Sequence, residues 1–299
     1  MQIPTFFDYA IQGKGGKRTT KFPDKMKKYI LYRELEELLA KEGVYKPKIA
    51  GKRGRTPYQS KVLLGSLFLQ AWYGLSDPRT EEMIHDRLSF RKFLDIKADD
   101  DIPDETTICN FRNSLMNKIL FDKIFALIKE TMIKNKLILQ EGTLVDATYT
   151  SKRGRKYHGF KMHIASNTNE MIKEVITTTA KESNIKQLDN LTENEKSFVF
   201  ADSGYMSKKN KKAFRDKRVF CGIIVRGERK LRNKQQDHNK KFSKVRAVVE
   251  LPFAFIKKLM NYTQTRFLGL EKNDQYHLLL AIAYNLKRVP SLQRKLENI

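Results

Sequence analysis

The sequence predicts a mixed α/β protein whose N-terminal part is helical and whose C-terminal part carries a mixed sheet. Three observations predict it. From Tyr58 to Asn135 apolar residues recur at helical spacing, with no convincing alternation of period two. At residue 139 the pattern changes to β-rich runs separated by turn signals such as Asn167-Thr168-Asn169. The second half then reads β-β-β-α-β-α-β-α, a three-stranded meander followed by alternating αβ units.

Each element has a local reason. Residues 1–28 are polar and Gly/Lys-rich and read as a basic arm, ILYRELEELLAKEG (30–43) reads as a short helix ending at Gly43, and 46–57 reads as a basic linker. Helices are expected at 59–74, from Asp77-Pro78 with Asp77 as N-cap, after Pro103-Asp104, and at 119–135. Strands are expected in GTLVDATYT (142–150), YHGFKMHIASN (157–167), EMIKEVITTTA (170–180), SFVFADSGY (197–205) and FCGIIVR (220–226). Helical patterns cover 184–195, 207–217, 244–260 and 275–288. This order is that of a ribonuclease H-like sheet. It suggests a division into 1–57 (arm, short helix and linker), 58–138 (a helical region) and 139–299 (a ribonuclease H-like domain).

Composition narrows the function. The 299 residues are 40% hydrophobic, enough to bury cores, which excludes a disordered basic tail as the whole chain. The apolar run at 62–75 carries Gly65, Ser66 and Gln70 and falls short of a membrane span. No cationic start is followed by a hydrophobic block, and Cys109 and Cys221 are far apart. A cytoplasmic protein without a disulfide framework or thiolate zinc site is therefore expected. The net charge is +25. Residues 1–140 hold 26 basic and 18 acidic side chains, and 141–299 hold 33 and 16, so the excess lies mainly in the second half. Its cations cluster, as in Lys152, Arg153 and Arg155, and in Lys208, Lys209, Lys211, Lys212 and Arg215. Such clusters favour a nucleic-acid partner over a membrane, for which no amphipathic anchor is visible.

Three acids stand out by context. Asp146 ends the apolar run TLV and Asp202 ends FVFA. A carboxylate at the carboxyl end of a buried strand faces the crevice where open sheets bind ligands. Glu250 lies in KVRAVVELPFAFIKK, with Arg246 four residues before and Lys257 seven after, on one helical face. Pro252 should delay or kink that helix. Singly, each acid reads as a cap or an exposed ion pair. Together, in a basic segment, they suit a site for two Mg²⁺ or Mn²⁺ ions. A pair about 3.5–4 Å apart activates the attacking oxygen and stabilises the leaving oxygen of an in-line phosphoryl displacement.

The strings GRTPYQSKVLLGSLFLQAWYGLSDPRTEEMIHDRLSFRKFL (54–94), DDDIPDETTICNFRNSL (99–115), GTLVDAT (142–148), HGFKMHI (158–164), ADSGY (201–205), VRAVVELPFAFIK (245–257) and FLGLEKNDQYHLLLAIAYNL (267–286) have a family look in their order and spacing. The chain resembles bacterial insertion-sequence DDE transposases, specifically the insertion-sequence-five type. The resemblance implies that Asp146, Asp202 and Glu250 are the catalytic and metal-holding acids and that Arg246 and Lys257 accompany the glutamate on phosphate. It implies cleavage at the ends of an insertion sequence and strand transfer into target DNA, with two Mg²⁺ or Mn²⁺ ions. The partners it implies are double-stranded DNA, both terminal inverted repeats and target, and other copies of the chain in a homodimer or larger assembly at the bacterial nucleoid. The route of the second strand, by hairpin, replication or hydrolysis, stays open. The chain departs from the family pattern in the short ATYTSKRGRKY after Asp146, in Ser183-Asn184, at Ser243 and at Leu251. A catalytically decayed or regulatory DNA-binding protein with the same fold is the alternative.

Further DNA contacts are read at Lys161 in HGFK, at Lys152, Arg153 and Arg155, and at Arg112 and Asn113 in PDETTICNFRNSL, which resembles the second helix of a helix-turn-helix. Trp72 and Tyr73 read as core rather than as a stacking platform. His158 and His163, five apart on a strand, make a poor metal pair. GKGGKR (13–18) lacks the context of a phosphate loop.

Overall fold

The computed structural model describes residues 24–45, 57–97, 99–152, 155–223 and 233–297. The chain divides into two compact units, Met1–Leu120 and Phe121–Ile299.

In the first unit the described residues form helices α1 (Asp24–Lys27), α2 (Tyr32–Lys41), α3 (Ser60–Tyr73), α4 (Asp77–Asp86), α5 (Leu88–Leu94) and α6 (Glu105–Asn117). The centre is α3, whose Leu64, Leu67, Phe68 and Trp72 are all buried. Gly65 lets α5 come close, since a Cβ there would stand 2.5 Å from Leu94 Cδ2. Trp72 is core, stacked edge-on against Phe93 at 5.3 Å, whereas Tyr73 is 37% exposed and leans on Phe90. The expected single helix after residue 77 is two, broken at Arg87. Its cap is Ser76 rather than Asp77: Ser76 Oγ accepts the Arg79 N–H at 3.4 Å. The reason is that the Asp77 carboxylate is engaged elsewhere, by Gln70 Nε2 at 2.6 Å and by both terminal nitrogens of Arg112. Asp104 does cap α6, accepting from Thr107 N at 2.6 Å.

The second unit opens with α7 (Leu120–Lys134). Its Phe121 N–H donates to Gln275 Oε1 at 3.0 Å, and Lys129 pairs with Glu174. Among the described residues the sheet has five strands: β1 (Thr143–Lys152), β2 (Arg155–Ser166), β3 (Ile172–Thr179), β4 (Phe198–Ala201) and β5 (Phe220–Cys221), in the order β3-β2-β1-β4-β5. The first three form an antiparallel meander, and β4 and β5 run parallel to β1. Between them lie α8 (Leu188–Leu191) and α9 (Lys208–Asp216), and after them come α10 (Asn233–Lys258) and α11 (Leu270–Glu297). The last expected strand is shorter than FCGIIVR among the described residues, and 224–226 lie outside them.

Alternation along the strands makes two cores. Val145, Ala165, Val199 and Ala201 face one way, against Leu188, Leu191, Tyr205 and Phe214. Leu144 and Phe200 face the other way and meet Val249 of α10, with Phe242, Val245 and Val248 around them. Helix α11 covers the meander: Asn285 takes both the N–H and the C=O of Ile172, and His277 Nδ1 meets Thr177 Oγ1 at 2.7 Å. Helix α10 begins earlier than the pattern at 244 suggests and continues through Pro252. Proline already has a helical φ and removes only one backbone bond, so a helix braced by Val249 and Phe253 on the core survives it.

Candidate active site at the carboxyl ends of two parallel strands

Strands β1 and β4 pair as Thr143↔Val199, Leu144↔Phe200 and Val145↔Ala201. The next residue on each chain is an aspartate: Asp146 in β1, and Asp202 just past the end of β4 in still-extended backbone (φ −71, ψ 161). Adjacent strands run about 4.8 Å apart, so the two carboxylates start from neighbouring positions. Alternation also puts both on the side of Leu144 and Phe200, the face that α10 packs on. Both aspartates are half-buried. Asp146 Oδ1 accepts its neighbour's N–H from Ala147 at 2.8 Å, and Asp202 Oδ1 that of Ser203 at 2.7 Å.

Two groups register this concentration of negative charge. Burial pushes the Tyr205 phenol up, and the Asp146 and Asp202 carboxylates push it further. Burial pulls the half-buried Lys257 ammonium of α10 below its ordinary value, while Asp146 draws it back up. Lys257 is therefore a cation of α10 close enough to Asp146 to feel its charge.

The turn that carries Asp202 is fixed from beneath. Ser203–Tyr205 is a 3₁₀ turn whose Tyr205 N–H returns to Asp202 O at 3.0 Å. The Tyr205 ring is fully buried in the opposite core, and its hydroxyl meets His163 Nδ1 at 3.2 Å. His163 pairs in register with Ala147, next to Asp146, and its Nε2 meets Thr178 Oγ1 at 2.9 Å. One buried contact thus ties the Asp202 turn to the strand beside Asp146. Tyr205, the last residue of ADSGY, is a part of the site that sequence reasoning missed. The signal was available in its position three residues beyond a strand-end acid, where a 3₁₀ turn returns the chain to the core.

Glu250 stands differently. It follows the buried Val249 on α10 and is itself exposed. Among the described residues no group of three or more His, Cys, Asp or Glu is arranged to hold a metal ion. The structure sets Asp146 and Asp202 at adjacent strand ends, with Lys257 near Asp146. The aspartate pair alone supplies hard oxygen donors of the kind divalent Mg²⁺ or Mn²⁺ takes.

The remaining residues divide sharply. Arg112 is buried (7% exposed) and bound bidentately to Asp77, with Gln70 Oε1 at 3.0 Å from Nη1. Burial opposes ionisation of Asp77, but the hydrogen bonds from Arg112 and Gln70 hold its carboxyl below the ordinary value. Arg112 is thus a cross-link of α3, α4 and α6, which corrects its reading as a DNA contact. Asn113 is half-buried and donates to Cys109 Sγ at 3.4 Å. Lys161 is also corrected: it is 5% exposed, on the sheet face opposite Asp146, and its ammonium donates to Glu182 O and, at 3.2 Å, to Asn184 Oδ1. Arg153 and the side chains of Lys152, Arg155 and Arg246 lie outside the described residues.

Residues 134–286, just over half the chain, match the Transposase DDE domain family. The chain belongs to this family. Residues 19–114 match a second family, Transposase domain (DUF772). The transposase is accordingly a mixed α/β protein with a mixed five-stranded sheet, and its DDE domain implies a ribonuclease H-like fold. The family implies a DNA substrate, and its members generally use divalent metal ions. No helix among the described residues of the transposase is long and apolar enough to cross a membrane.

Proposed function

We propose that the chain is an insertion-sequence transposase of the insertion-sequence-five type that cleaves a phosphodiester at the element's ends and joins the freed 3′-hydroxyl to target DNA. The observation that carries this reading is the aspartate pair at the carboxyl ends of two adjacent parallel strands, with Lys257 beside it. Asp146 and Asp202 would hold divalent cations, Mg²⁺ or Mn²⁺. Bound there, such ions supply Lewis-acid activation for in-line phosphoryl displacement.

The chain's own residues do the rest. The strand ends and the buried Tyr205–His163 contact fix the spacing of the two carboxylates, so the site needs little reorganisation when cations and DNA arrive. Lys257, desolvated but next to a carboxylate, is a phosphate-holding cation. We assign Glu250 as the third acid and Arg246 as its accompanying cation, supported by their place on α10 four residues apart. The helical region 58–138 is assigned to terminal-repeat recognition and dimerisation, and 139–299 to catalysis on a homodimer or larger assembly of the cytoplasmic, nucleoid-bound protein.

The test is nicking of a duplex carrying the element's terminal inverted repeat, in Mg²⁺ or Mn²⁺. Specific nicking by the parent protein, lost in Glu250→Gln with DNA affinity retained, is the expected result. Salt-sensitive binding without cleavage in either metal would overturn the catalytic reading in favour of a decayed or regulatory copy. Cutting without preference for the repeat would point to a general nuclease.

A further inference from the structure

Helix α9 (Lys208–Asp216) breaks two local rules at once. Its first turn holds Lys208 and Lys209 and no acid, although the amino end of a helix favours negative charge. Its buried side is Asn210 and Phe214, with Ala213 partly covered. At 100° per residue the direction opposite that side is occupied by Lys208, Lys211, Lys212 and Arg215, at spacings i, i+3, i+4 and i+7, all exposed. Like charges at these spacings destabilise a helix. Among the described residues only two long, exposed ion pairs reach the helix: Asp189 is 4.0 Å from Lys209, which lies off the stripe, and Asp216 is 4.0 Å from Arg215 Nε. The fold tolerates the helix because Ser207 caps it, accepting from Asn210 N at 2.9 Å, and Asn210 anchors it on Tyr205 O at 3.1 Å.

Among the described residues Lys208, Lys211 and Lys212 have no carboxylate at ion-pair distance and Arg215 has only Asp216, and a stripe of cations so weakly countered calls for an external polyanion. We infer that the outer face of α9 is a docking surface for the phosphate backbone of duplex DNA. The inference rests on the reading of the chain as a DNA-acting enzyme and deepens it. Position favours duplex DNA: α9 starts six residues after Asp202, and its anchor Tyr205 closes the turn that Asp202 opens. Along the chain the stripe thus follows the aspartate directly, while Phe214 packs α9 on the sheet face opposite the one that α10 covers. The stripe spans about 10 Å along the helix axis, a length over which a duplex carries about six phosphate charges. Lysines on a solvated helix act as point charges on phosphate, so the surface holds DNA without reading its sequence.

The experiment compares the full-length parent with the quadruple variant Lys208→Gln, Lys211→Gln, Lys212→Gln, Arg215→Gln. It measures affinity for a random-sequence duplex and for a terminal-repeat duplex across a salt series, with thermal melting as the check on folding. The variant is expected to melt at or above the parent's temperature because the repulsion is relieved. Its slope of log affinity against log salt should be shallower by about three, equally for both duplexes. A milder pair, Lys208→Gln with Lys212→Gln, should give about half that change and serves if the quadruple variant misfolds. An unchanged slope in a folded variant overturns the inference. So does a loss confined to the terminal repeat, or a loss of binding to anionic phospholipid vesicles with duplex binding intact. A parent that binds duplexes steeply but cuts none, with the slope lost in the variant, would defeat the cleavage reading and sustain this one.

Discussion

The two ends of one strand pair hold carboxylates in opposite ways. At the start of β1 and β4, Glu195 is buried and surrounded by donors. It accepts from Gly142 N at 3.1 Å, Lys196 N at 3.0 Å, Ser197 N at 2.8 Å, Thr143 Oγ1 and Lys173 Nζ. Burial opposes its ionisation, yet Thr143, the backbone N–H groups and Lys173 together hold it below its ordinary value. At the finish of the same strands, Asp146 and Asp202 stand at neighbouring positions, half-buried. A carboxylate saturated by fixed donors is a structural part. Two carboxylates set side by side at an opening are arranged for a cation.

That contrast can be broken most forcefully at the open end. Asp146→Asn or Asp202→Asn should lower terminal-repeat nicking by roughly 10³-fold or more, with little change in melting temperature or duplex affinity. An Asn variant that nicks as well as the parent would remove the residue from the site. At the closed end the effects reverse. Glu195→Ala leaves Lys173 and four further donors without their acceptor, so it should cost about 3 kcal/mol in denaturant unfolding while nicking per folded molecule is unchanged. Because Glu195 titrates lower in the folded chain than in the unfolded one, its contribution is complete above about pH 4.5 and is lost as the pH falls below that.

The buried histidines sharpen the picture at intermediate pH. Burial, aided by Lys161, lowers His163 from 6.5 to about 4. The unfolded chain then takes up the proton first on acidification. The contribution of His163 to stability should be complete above pH 6.5 and fall by about 3 kcal/mol as the pH drops from there to about 4, with His277 adding a further loss over the same range. Denaturation curves over that range should flatten in His163→Gln. The smallest effect belongs to Tyr205→Phe, which removes one buried hydrogen bond to His163 and should cost about 1 kcal/mol. If Tyr205 positions Asp202, the same variant should need more Mg²⁺ for half-maximal nicking. A stability loss with an unchanged Mg²⁺ requirement would reduce it to a core residue.

Much of this was legible in the sequence because it depends on local order. Apolar runs that stop at an acid reveal strand-end carboxylates, so Asp146 and Asp202 could be found from TLVD and FVFAD. The helix-to-sheet transition near residue 139 likewise follows from a change of period. What depends on distant partners was not legible. Arg112 looks like an exposed DNA contact until Asp77 and Gln70, from two other helices, close on it. Lys161 looks free until Glu182 and Asn184 return from beyond β3. Ser76 takes the cap from Asp77 for the same long-range reason. Cations of α9 were visible as a cluster, but only the buried Asn210 and Phe214 reveal that four of them share one outward stripe.

The central claim is that Asp146 and Asp202 form a cation site by standing side by side, and Mn²⁺ binding to the DNA-free protein tests it most directly. Titration followed by the loss of the free-ion paramagnetic resonance signal should show Mn²⁺ bound by the parent and by Glu195→Gln. Binding should be abolished or weakened at least about tenfold by either Asp146→Asn or Asp202→Asn. Equal Mn²⁺ binding by the parent and both aspartate variants would contradict it.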